Sequence, residues 1–123
     1  MRSLIIAGTV LIATSIVVPT KVQANEQLFI SVCGYVKAND KSKLRKKLKE
    51  GRVTLRNIYT DLKCNGENLL QTAYGSSANE VGQFIVKRVS SKALKASDIY
   101  GWANGNGHGS SPITAALKSK LKL

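Results

Sequence analysis

Leu28-Phe-Ile-Ser-Val-Cys-Gly-Tyr-Val-Lys-Ala-Asn-Asp-Lys-Ser-Lys-Leu-Arg-Lys-Lys-Leu-Lys-Glu-Gly51 reads as a helix, a tight turn and a second helix. Leu28, Val32, Tyr35 and Val36 recur at i, i+4, i+7 and i+8, with Phe29 and Cys33 flanking the stripe. That spacing puts a broad apolar face on a helix over residues 26–37. Asn39-Asp40 ends it and offers an N-cap to the next helix, residues 41–50, which stops at Gly51 in the C′ position. The second helix has only Leu44 and Leu48 as apolar contacts, one turn apart.

Downstream the pattern repeats. Leu55, Ile58, Tyr59 and Leu62 follow Thr54 at helical spacing, although Val53-Thr54-Leu55 also reads as extended. Cys64-Asn65-Gly66 is a turn, and residues 67–74 form a helix burying Leu69, Leu70 and Ala73. Ser77-Ala78-Asn79-Glu80 reads as a capping box with Ser77 as N-cap. The helix it opens runs to about Arg88, with Val81, Phe84, Ile85 and Val89 on one face. Ser90-Ser91 caps a weaker helix to Ala96. Residues 101–111 contain four glycines and read as a flexible linker. Ser111 and Pro112, as N-cap and N1, restart a short basic amphipathic helix within residues 112–123. With Ile113, Leu117 and Leu121 in line, it suits a membrane surface, docking on the domain, or fraying.

At an offset of forty residues, Phe29-Ile30 matches Leu69-Leu70, and Ala38-Asn39-Asp40 matches Ala78-Asn79-Glu80. Two copies are below the three a solenoid usually needs, and packing necessity alone also produces such echoes. The expected fold is all-α, a small bundle of about five helices. They are arranged as two stacked helical hairpins with ankyrin-like pairing, spanning residues 25–100.

The chain begins with an address. Arg2 precedes a nearly unbroken apolar run of fifteen residues, Leu4 to Val18, and Val22-Gln23-Ala24 offers small residues for cleavage near Ala24. This predicts a signal peptide over residues 1–24 and a periplasmic or secreted product. A spanning helix needs about 20 apolar residues, so an uncleaved anchor is the weaker reading. Cleavage would leave 99 residues with seventeen basic and seven acidic groups, +10 against +12 for the whole chain. Cys33 and Cys64, an even count in an exported chain, imply one disulfide, with two buried free thiols as the alternative.

The order of motifs is a Cys in the first apolar helix, a basic helix, Leu55-Arg-Asn-Ile-Tyr59, Cys64-Asn-Gly-Glu-Asn-Leu-Leu70 and an Ala-Asn-Glu-capped helix. It resembles the small exported bacterial proteins grouped as domain of unknown function 3718. The resemblance covers about residues 28–90. It implies a periplasmic, disulfide-bonded helical domain and no particular activity.

Little here points to catalysis. His108 is the only histidine, whereas zinc needs three or four protein ligands. Gly105, Gly107 and Gly109 follow no strand and precede no Lys-Ser/Thr, so no phosphate loop is met. The carboxylates fall mainly near helix ends, and no nucleophile elbow occurs. No catalytic residue, metal or cofactor is expected. The alternative is a small periplasmic enzyme or inhibitor whose site only the fold assembles.

The basic helix stands apart. Lys41, Lys43, Arg45, Lys46, Lys47, Lys49 and Arg52 put seven positive charges beside one acid in twelve residues. Lys41, Arg45 and Lys49 share an i, i+4 line, where like charges repel. The bland reading is a solvated helix face. The functional one is an anion-binding face for an anionic envelope component (lipopolysaccharide or anionic lipid) or an acidic protein. Stacking aromatics are not interleaved, which argues against nucleic acid.

Overall fold

Caps supplied by the sequence set most of the helix boundaries. The computed structural model describes residues 21–123, and among them there are eight α-helices and no β-strand. The expected leader lies outside those residues, apart from its last four positions, which begin α1 (Lys21–Lys37). There follow α2 (Lys41–Glu50), α3 (Leu55–Ile58), α4 (Leu69–Gly75) and α5 (Asn79–Arg88). The chain then forms α6 (Ser91–Ala96), α7 (Ile99–Gly105) and α8 (Pro112–Leu121). The all-α class holds, with eight helices where about five were expected.

Asp40 caps α2, its carboxylate accepting from the Lys43 N–H at 3.0 Å. Thr54 does the same for Asn57 at 3.2 Å; Thr54 is itself extended, at φ −119 and ψ 154, and the helix begins only at Leu55. Asn68 and Gln71 form a reciprocal capping box at the start of α4, at 2.8 and 3.0 Å. The box expected at Ser77–Glu80 is not formed. Ser77 lies at φ 53 in the turn, and the N-cap is Ala78, which has no side chain to offer. The missing acceptor comes from the neighbouring hairpin, where Asn39 Oδ1 accepts the Val81 N–H at 2.9 Å.

The α1–α2 and α4–α5 hairpins stack as expected, α1 on α4 and α2 beside α5. Both close through the same turn. Asn39 and Ser77 lie at φ 54 and 53, and the next residue donates back to the helix: Asp40 to Tyr35 O, Ala78 to Ala73 O. The two turns are therefore thirty-eight residues apart, not forty. The matching Ala-Asn-acid tripeptides are not the backbone equivalents.

A third hairpin completes the stack and corrects the linker reading of residues 101–111. α7 pairs with α8, α7 packs on α4, and α8 packs along α5 in the most extensive helix pairing of the described residues. Its turn uses the same closure, with Gly107 at φ 82 and His108 donating to Ala103 O at 2.8 Å. Ile99 and Ala103, one turn apart, are fully buried, and this outweighs the helix cost of the glycines. His108 stacks at 25° on both Tyr74 and Trp102, with ring centroids 4.8 and 5.5 Å away. Thr114 donates to the His108 carbonyl at 2.7 Å and accepts from the Tyr74 hydroxyl at 2.6 Å. α8 docks rather than frays, since Ile113 and Leu117 are fully buried.

Gly82 permits that docking. A Cβ there would lie 2.6 Å from Ile113 Cγ1, closer than side-chain atoms pack. Cys33 and Cys64 are joined, with Cα atoms 5.8 Å apart. The bridge ties α1 to a two-residue turn at Asn65 and Gly66, both at positive φ, immediately before α4.

Candidate functional site

The two rows of helices are packed unequally, and the inequality makes a groove. α8 sits tightly on one flank of α5, whereas α2 meets the other flank only slightly. The space left between α2, residues 51–56 and α5 is an open groove of about 780 Å³. Leu48, Val53, Leu55 and Phe84 give it an apolar floor. Arg45, Lys46, Lys49, Arg56 and Arg88 supply five cations around that floor, and no carboxylate lines it.

Helical periodicity sorts the basic run into separate groups. Ser42, Arg45, Lys46 and Lys49 fall within about 100° of the circumference of α2, the sector facing the groove. Lys43 and Lys47 lie on the opposite side and pair with Asp40 and Glu50, each at 4.0 Å. These exposed pairs contribute little stability. Lys41 reaches over the Phe84 ring, 5.8 Å from its centroid, while the Arg88 guanidinium stands 5.1 Å away. Arg52 is exposed at φ 56 in the α2–α3 connection and does not line the groove. Of the seven expected anion-binding residues, the groove thus gathers Arg45, Lys46 and Lys49.

Arg56, Arg88, Phe84 and Val53 escaped the sequence reading. Phe84 fits the apolar stripe of α5, and only the opening between α2 and α5 turns it into a groove wall. A signal for Arg88 exists in its i+4 spacing from Phe84, which places both on one side of α5.

Basic charge continues outside the groove. Lys120 of α8 donates to the Lys87 carbonyl at 2.9 Å and to that of Val89, covering the C-terminal end of α5. Burial, then the nearby charge of Arg56, lowers its pKa from the usual lysine range. A smaller hollow of about 530 Å³ lies beside Asn39, Lys41, Gln83 and Lys87, but it includes Glu80 and so has mixed charge.

Elsewhere, His108 is held in the aromatic stack with Tyr74 and Trp102, and its backbone is fully engaged. Among the described residues no three His, Cys, Asp or Glu side chains gather as metal ligands. No described helix is long and apolar enough to cross a membrane.

No curated protein and no solved structure matches the chain. One family model does, over residues 32–96, a span that holds both cysteines, the basic helix and the groove, and ends before α7. As that is more than half of its length, the chain belongs to the family described as protein of unknown function (DUF3718).

Proposed function

We propose that this is an exported, non-catalytic module that binds an anionic component of the cell envelope through the groove between α2 and α5. The carrying observation is the set of five cations around an apolar floor with no acid among them. Like charges crowded in this way repel, and an arriving anion relieves that repulsion. The disulfide supports an oxidising compartment outside the cytoplasm, in keeping with the leader-like residues 1–24. Phe84 is the one aromatic in the groove, and cations already flank its ring. Successive bases therefore lack a stacking platform, and a lipid or lipopolysaccharide phosphate, or an acidic protein, suits the site better.

The test is binding of the oxidised protein to phosphatidylglycerol and phosphatidylcholine vesicles, and to heparin, across a salt series. The reading expects binding to the anionic vesicles and to heparin that weakens steeply with salt. It also expects most of that binding to vanish when Arg45, Lys46, Lys49, Arg56 and Arg88 are changed to Gln. Equal binding to both vesicle types, or unchanged binding of the variant, would overturn it.

A further inference from the structure

We propose that the groove takes a single-chain anionic amphiphile as a free molecule. The alkyl or acyl chain lies along Leu48, Val53, Leu55 and Phe84, and the phosphate or carboxylate sits among the rim cations. This rests on the anion-binding reading above and narrows it to a ligand class.

Three features separate this groove from a generally basic surface. First, its floor is recessed: Leu48 and Leu55 are 7% and 2% exposed, beneath long basic side chains that rise from α2, α3 and α5. A flat bilayer or a polyanion meets the charged heads without reaching that floor, whereas a thin chain can lie on it. The aliphatic stems of Arg and Lys extend the apolar walls, leaving their charges at the mouth. Secondly, three of the five cations are guanidiniums, from Arg45, Arg56 and Arg88. Their planar donors match phosphate or carboxylate oxygens in pairs, which lysines do as point charges only. Thirdly, the volume of about 780 Å³ falls in the range of small-ligand sites. The flanking helices present no unpaired backbone edge, so an extended peptide would find no main-chain partners there.

The charge pattern also fixes the ligand's polarity. An uncharged amphiphile would leave five like charges uncompensated, and a bare anion would leave the floor wet. Only a molecule with both parts satisfies both.

The experiment titrates the oxidised protein with octyl, decyl and dodecyl phosphate below their micelle concentrations. Inorganic phosphate, dodecyl maltoside, an acidic amphipathic peptide and phosphatidylglycerol vesicles are the comparison probes. The proposal expects affinity to rise about two- to fourfold per added CH₂ and to weaken with salt. Phe84→Ser, at a half-buried position, should flatten the chain-length dependence. Arg88→Gln should weaken dodecyl phosphate about tenfold or more. Lys43→Gln, on the other side of α2, should change it less than twofold. Unchanged thermal unfolding of each variant shows that the fold is intact.

Alkyl phosphates binding no better than inorganic phosphate overturns this proposal while leaving the anion-binding reading standing. The same holds if vesicles or the acidic peptide bind and the free amphiphiles do not. Failure of heparin, vesicles and amphiphiles together overturns both.

Discussion

Asn39 shows how one side chain can hold two hairpins together. Its backbone makes the left-handed turn after α1, and its side-chain oxygen caps α5 in the next hairpin. Asn39→Gly keeps the turn accessible and deletes the cap. Chemical denaturation should then register a loss of about 1 kcal/mol. Ser77→Ala should cost nothing in capping, because Ser77 caps nothing; a larger loss from Ser77 than from Asn39 would contradict this assignment. The Ser77–Glu80 pattern was legible but misleading, since sequence shows local acceptors and not one supplied from forty-two residues away. Two tyrosines add a pH-dependent contribution. Burial raises the pKa of Tyr59 and of Tyr74 above the usual 10.0, partly offset by their bonds to Ser97 and Thr114. A folded pKa above the unfolded one stabilises fully below pH 10 and is lost as pH rises through the raised values. Lys120, lowered by burial and Arg56, acts with the opposite sign. The clean comparison is thus wild type against Tyr59→Phe/Tyr74→Phe. The variant should lose stability less steeply above pH 10, and parallel curves would refute the assignment.

At the scale of elements, α2 and α8 were readable from their caps and apolar spacing and α5 from its apolar spacing alone, and their observed bounds lie close to the expected ones. α7 was not. Counting glycines across residues 101–111 hid Ile99 and Ala103, whose burial depends on α4 being beside them. The tight pairing of α5 with α8 hangs on Gly82. Gly82→Ala should destabilise by about 1–3 kcal/mol through overpacking against Ile113, despite alanine's better helix propensity. Adding Ile113→Val shortens the opposing side chain and should recover part of the loss in thermal unfolding. Additive losses from the two changes would mean that the helices meet elsewhere.

For the whole molecule, the sequence made the all-α class, the stacked hairpins and the Cys33–Cys64 bridge legible. The third hairpin and the groove depend on how helices meet, which no local pattern records. With thirty residues between its cysteines, the bridge should contribute about 3–4 kcal/mol in the chain-entropy model. Urea unfolding of Cys33→Ser/Cys64→Ser should show a deficit of that order, and a negligible one would contradict the bridge's structural role. The net charge of +12 takes on meaning only through placement: part of it is paired or dispersed, and five cations meet around one apolar floor. Two charge-matched triple variants separate placement from total charge. Arg45→Gln/Arg56→Gln/Arg88→Gln removes three of the groove's five cations, and Lys37→Gln/Lys43→Gln/Lys47→Gln removes the same charge elsewhere. Binding to phosphatidylglycerol vesicles at low salt should fall about tenfold or more for the first and about twofold for the second. Equal losses from the two would contradict the groove as the site.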